Sequence, residues 1–223
     1  MSFTRFAIYF LPGQAALAGF GAAWLGWDVQ AAQPVPQPEV PDLESITATP
    51  AKYGFHGTLK PPFRLADGQD QAALEQAAAD LAATIAPAQA DGLELTRLGG
   101  FLALVPVGDT AGIARVAAAC VEGLDRFRAP ATLDELARRR KSGLSPEQDA
   151  LLTRWGYPYV MEQFRFHLTL TGPLPKGQAD HWLATAQAHL PPLPPPFVMD
   201  AVALVGERAD GRFELIQNYA LSG

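Results

Sequence analysis

One eleven-residue window is written twice in this chain, and the repeat constrains the fold more than any other feature. Residues 53–63 read YGFHGTLKPPF and residues 164–174 read FRFHLTLTGPL. They agree at Phe55 and Phe166, His56 and His167, Thr58 and Thr169, Leu59 and Leu170, and Pro62 and Pro173. The histidines stand 111 residues apart, and so do Gly100 and Gly211. Between those markers each half carries the same series. A helix is expected after each window, with Leu74, Ala78, Leu81 and Ile85 at helical spacing in the first and Leu183, Ala186 and Leu190 in the second. A hairpin is expected next, turning at Gly99 and Gly100 in one half and at Asp210 and Gly211 in the other. A unit of strand, helix and hairpin, used twice, implies an α+β fold of two lobes related by a pseudo-two-fold axis, each lobe an antiparallel sheet with covering helices.

The expected boundaries are a first lobe at about 1–125, an inserted helical hairpin at about 130–156 and a second lobe at about 157–223, all within one bilobal domain. The insertion has clear punctuation. Thr132 with Glu135 and Ser145 with Gln148 form capping boxes, Pro146 suits a first helical position, and Gly143 and Gly156 suit the stops. Residues 6–27 carry no charge and could pass for the apolar part of a secretion signal. Pro12, Gly13 and three further glycines break the run, so a strand followed by a small-residue helix is expected. The prolines at 34, 36, 38, 41 and 50 mark an extended surface connector.

Two histidines in matched register invite a chemical reading. On a strand, His56, Thr58 and Lys60 would share one face, and Arg165, His167, Thr169 and Thr171 another, with Phe and Leu filling the apolar sides. If the polar faces look at each other, two imidazoles, two hydroxyls and two cations converge on a cleft suited to an anion. One imidazole can take a proton and the other give one at neutral pH, while hydroxyls and cations hold phosphoryl oxygens. The catalytic candidates are therefore His56 and His167, and the phosphate-binding candidates Thr58 and Thr169. No Asp, Glu or Cys lies within either window to complete a ligand set, so neither a metal nor another cofactor is expected. Cys120, the single cysteine, sits among alanines and is expected to be a buried thiol. A net charge of −6 disfavours an extended nucleic acid as partner, and a lone cysteine fits a cytoplasmic setting with no membrane association.

Twin His-x-Thr motifs on facing strands of a duplicated α+β fold resemble the 2H phosphoesterase superfamily. The words YGFHGTLKPPF, GFLAL, FRAP, ELARRR, WGYPYV and FRFHLTLTG further resemble its subgroup of phosphonate-metabolism proteins, encoded with carbon-phosphorus lyase genes. The resemblance implies a metal-independent phosphodiesterase acting on a cyclic phosphate or phosphodiester, with a small phosphate ester as partner and a phosphorylated sugar as one substrate. Two alternatives stand beside it: an enzyme of RNA ends or nucleoside 2′,3′-cyclic phosphates, and a non-catalytic nucleotide-binding module. Further substrate contacts are expected from Lys60, Arg165, Tyr53, Arg128, Arg139, Arg140, Tyr157 and Tyr159. The Arg138–Lys141 run has two readings, a solvated helix end or a lid that brings an arginine to a second phosphate.

Overall fold

The computed structural model of the chain describes residues 3–223. The first half runs through β1 (Phe6–Phe10), α1 (Ala15–Leu25), the short pair β2 (Trp27–Asp28) and β3 (Gln33–Pro34), α2 (Leu43–Thr47), β4 (Gly57–Phe63), α3 (Gln71–Ala82), β5 (Ala88–Ala90), the hairpin β6 (Gly92–Leu98) and β7 (Phe101–Val107), and α4 (Ala111–Gly123). Two helices follow, α5 (Leu133–Arg140) and α6 (Pro146–Trp155). The chain then closes with β8 (Leu168–Thr169), α7 (Ala179–His189), β9 (Phe197–Met199) and the hairpin β10 (Ala201–Glu207) and β11 (Phe213–Ala220). The fold is α+β. No helix among the described residues is long and apolar enough to cross a membrane.

Seven strands form one sheet in the order β11-β10-β1-β4-β8-β7-β6, and every pairing in it is antiparallel. β4 and β8 touch at one pair, Gly57 with Leu168. That seam divides the sheet into two parts, and the parts do not follow the two halves of the chain. The second half's hairpin extends the β1-β4 side, while the first half's hairpin flanks β8. The first half's hairpin thus pairs with the second half's histidine strand β8, and the second half's hairpin pairs with β1, the neighbour of β4, where the sequence placed each hairpin in its own lobe.

The seam also locates the symmetry. Gly57 and Leu168 each follow a motif histidine, and antiparallel partners related by the 111-residue repeat have the local two-fold axis between them. Ala88 of β5 pairs with Met199 of β9 at the same separation. A Cβ on Gly57 would overlap the Phe166 ring, so only glycine lets the two strands meet here.

One sheet face carries the main core. Phe6, Ile8 and Phe10 alternate inward along β1 and pack with Leu74 of α3, Val116 of α4, Trp24 of α1 and Trp182 of α7. Burying each such side chain contributes about 1.5–3 kcal/mol before conformational entropy is counted. On α3 the buried stripe is Leu74, Ala78 and Ala82, with Leu81 and Ile85 packed at its edge. The remaining β1 positions, Ala7 and Tyr9, face the opposite way with Trp27, Val29 and Phe213. That second face lines the cavity in which both motif histidines stand.

The punctuation signals work as written. Both capping boxes form, Pro146 opens α6, and Gly156 ends it in a left-handed conformation (φ 74°). The first hairpin turns tightly, with Leu98 paired to Phe101 across Gly99 and Gly100. The second is wider than the expected two-residue turn. Its last strand pair is Glu207 with Phe213, and the Arg208 N–H donates to the Arg212 carbonyl across a three-residue loop with Gly211 at φ 81°.

Candidate active site

β4 is a regular strand at its start and bulges in its middle, and the bulge decides which residues reach the site. Phe10 opposes Gly57 and Tyr9 opposes Thr58, but Ile8 opposes Lys60. Leu59 is the extra residue. Lys60 therefore turns onto the helix face beside Ile8, where its Nζ donates to the Val121 carbonyl at 3.0 Å and pairs with Asp125 at 3.5 Å. Burial beneath α4 lowers the ammonium pKa to about 8, with Asp125 opposing the shift. Lys60 is a structural cation here, and the expected phosphate contact from it is corrected. Its neighbour Cys120 is fully buried, with the thiol pushed up to about 12 by desolvation.

The two histidines line one cavity of about 410 Å³ together with Thr58 and Thr169. Each ring is anchored in the same manner. His56 Nδ1 lies 2.9 Å from the Gly54 carbonyl and His167 Nδ1 lies 2.8 Å from the Arg165 carbonyl. A carbonyl only accepts, so both Nδ1 atoms carry hydrogen and both Nε2 atoms are left for chemistry. Gly54 reaches its position with φ at 72°, a conformation that favours glycine. At the first ring the Thr58 hydroxyl donates to Nε2 at 2.9 Å.

Tyr9 stacks on His56, the ring centroids 3.7 Å apart and the planes 22° from parallel. Desolvation lowers the His56 pKa to about 4, partly offset by the Gly54 hydrogen bond and assisted by the nearby His167 charge. The ring is neutral at pH 7. His167 has a more open setting, half-buried and tilted against Phe101 at 5.6 Å.

Three further expected contacts reach the cavity: Tyr53, Arg139 and Tyr157. The guanidinium of Arg139 lies over the Tyr157 ring at 4.7 Å, so α5 does overhang the cleft. The others do not line it. Arg165 precedes β8 in a stretch that is not strand, so its side chain leaves the face expected of it and is exposed. Arg140 follows Arg139 by about 100° around the helix and pairs with Asp149 of α6 at 2.6 Å. Arg128 binds Asp125 at 2.7 Å and the Arg154 carbonyl at 3.1 Å, lining an adjoining cavity instead. Tyr159 meets Tyr157 edge-on at 5.7 Å and is 45% exposed.

Two residues that the sequence reading passed over belong to the cleft. Arg5 lines it while held by Glu207, its Nε donating at 2.6 Å. Tyr9 lines it with a fully buried hydroxyl that has no hydrogen-bond partner among the described residues. The signal was the two-residue alternation of Arg5, Ala7 and Tyr9 along the first strand, which places all three on one face. Thr171 also lines the cavity, but its hydroxyl is spent on the backbone of Leu102 and Gly172.

Comparison with known proteins gives a family and several relatives. Residues 58–214 match the family DUF1045, described as a protein of unknown function. A protein named ribose 1,5-bisphosphate phosphokinase PhnN from Janthinobacterium sp. (strain Marseille) is 43% identical over 185 residues, covering 80% of this chain and 41% of that protein. One of the same name from Laribacter hongkongensis (strain HLHK9) is 39% identical over 196 residues, covering 83% of this chain and 44% of that protein. The chain spans less than half the length of these curated relatives. Among solved structures, E. coli LigT in apo form aligns over 100% of both chains with a TM-score of 0.48 and 14% identity. TT0787 of Thermus thermophilus aligns over 98% of both with a TM-score of 0.44 and 16% identity.

Proposed function

This chain belongs to the DUF1045 family, and from that premise we propose that it is a metal-independent phosphodiesterase that opens a cyclic phosphate of a small phosphorylated sugar by two-histidine acid and base catalysis. The observation that carries the proposal is the shared cavity, which two imidazoles with identically anchored Nδ1 atoms line together with two threonines.

The roles follow from the surroundings. His56 is neutral at pH 7, so its Nε2 accepts the proton of an attacking water; His167 is left to give its Nε2 proton to the departing ester oxygen. The new bond joins water oxygen to phosphorus, the old phosphorus–oxygen bond breaks, and solvent exchange restores both rings. Thr58, released from Nε2, and Thr169 donate to the phosphoryl oxygens. A bound phosphate also raises the His56 pKa through its negative charge, bringing a strongly depressed base closer to neutral. Arg139 at the rim, in no ion pair among the described residues, supplies the positive charge that Lys60 and Arg165 do not.

The sugar in this reading is a phosphorylated ribose. Its support is the name of the relatives, which records ribose 1,5-bisphosphate as what those longer proteins act on. The test is turnover of ribose cyclic phosphates and nucleoside 2′,3′-cyclic phosphates by the intact chain, with and without a chelator and across pH. Chelator-resistant hydrolysis with a bell-shaped pH profile is expected. Tight binding of these compounds without turnover would make the protein a binding module, and loss of activity on chelation would remove the two-histidine mechanism.

A further inference from the structure

Beside the histidine cleft lies a second cavity of about 470 Å³, and five arginines converge on it: Arg5, Arg64, Arg128, Arg138 and Arg139. The two cavities share Arg5, Pro62 and Arg139 as a common rim. Three of the guanidinium groups are matched by carboxylates. Arg5 pairs with Glu207, Arg64 with Glu135 at 2.5 Å, and Arg128 with Asp125. Arg138 and Arg139 take part in no ion pair among the described residues. The cluster thus carries two uncompensated positive charges.

A helix C-terminus favours cations, which accounts for arginines in the last turn of α5. It does not account for Arg5, just before β1, and Arg64 and Arg128, in loops, meeting them there. Nor does packing explain why α5 stands there, because the helix buries none of its residues and its Leu133 is 84% exposed. Its side-chain ties run through charged groups, Arg64 with Glu135 on one side, Arg140 with Asp149 on the other and Arg139 over the Tyr157 ring. A helix held by charge pairs, with no core of its own, serves chiefly to present what is on its surface.

Resting on the reading that the histidine cleft turns over a phosphate ester, we propose that the arginine cavity is a second anion subsite, which takes a terminal phosphate monoester of the same small substrate. A monoester carries about −1.5 to −2 charges at neutral pH, the complement of the two uncompensated guanidinium groups, whereas a phosphodiester of a polymer carries one. Planar guanidinium forks also match phosphate oxygens in pairs. Arg139, on the shared rim and stacked on Tyr157, stands where the two phosphates of one ligand would flank it.

The experiment compares a ribose cyclic phosphate with and without a 5-phosphate by kcat/KM, and ribose 1,5-bisphosphate with ribose 1-phosphate by calorimetry. Both are run on the parent, Arg138→Gln, Arg139→Gln and the double variant, with circular dichroism to confirm folding, and the calorimetry also on His167→Ala. The second phosphate is expected to improve kcat/KM and affinity by about 10- to 100-fold in the parent. That gain should shrink to under about threefold in the double variant and persist in His167→Ala. Equal binding of the two sugars by the parent, or a gain that survives both arginine changes, overturns the subsite. An arginine-dependent binding gain in a protein that hydrolyses no cyclic phosphate keeps the subsite and removes the proposed reaction. If a short RNA ending in a cyclic phosphate is preferred about tenfold over the sugar, with a steep fall in salt, the cavity follows a polymer backbone and the monoester assignment fails.

Discussion

The two histidine motifs read alike and are anchored alike, yet their surroundings diverge. His56 lies flat on Tyr9, takes a hydrogen bond from Thr58 and opens a seven-residue strand. His167 tilts against Phe101, leads into a strand of two residues and remains more open to water. Duplication supplied two equal imidazoles, and the unequal neighbours hold the first of them neutral at pH 7. β1 makes the difference, since it brings Tyr9 and Arg5 to the first histidine and the second motif has β7 in the corresponding place.

The largest test of this comparison removes each ring. His56→Ala and His167→Ala should each lower turnover by about 10² to 10⁴, and the double variant should be little worse than either, because acid and base act as a unit. Thermal stability at pH 7 should change little. A histidine whose loss leaves turnover intact would end the acid and base pairing.

A pH titration of stability sharpens the contrast. With its folded pKa at about 4 and an ordinary value of 6.5, His56 binds fewer protons folded than unfolded between those limits. Its contribution is present above pH 6.5 and lost as pH falls through 4. The loss should be on the order of 2 kcal/mol, the full shift being reduced for the water that reaches a half-buried ring. Chemical denaturation of the parent and His167→Gln should show it, and His56→Gln should not. The same slope in His56→Gln would mean that burial does not hold this ring neutral.

The smallest effect belongs to Tyr9. Its buried hydroxyl lacks a partner among the described residues, so Tyr9→Phe should stabilise the free protein by about 1 kcal/mol and lower kcat/KM by about 5- to 30-fold if the hydroxyl donates to substrate. Thermal melting and steady-state kinetics read the two effects separately. Stabilisation without loss of activity would leave Tyr9 as a stacking surface only.

What could be read from residues alone were the features that depend on local spacing. The repeat at 111 residues, the pairing of His56 with His167, both capping boxes and the strand-then-helix start are all set within short stretches of chain. Local signals also mislead wherever a long-range contact overrides them. Strict alternation put Lys60 beside Thr58, and one extra residue opposite β1 turned it under α4. Alternation likewise puts Arg165 on the face of His167, but only two residues of the second motif are strand.

By itself, the sequence determined that two histidines, two threonines and a two-fold relation would be present, because periodicity and repetition are properties of one dimension. Only the tertiary structure decided which strands exchange hairpins, which cations reach the cleft and which imidazole is held neutral. Those outcomes rest on register across the sheet and on burial by residues far along the chain. Tyr9 reaches His56 across 47 positions, and Arg5 meets Glu207 across 202. Neither contact leaves a mark in the local pattern, since each depends on where β1 is inserted between β4 and β10.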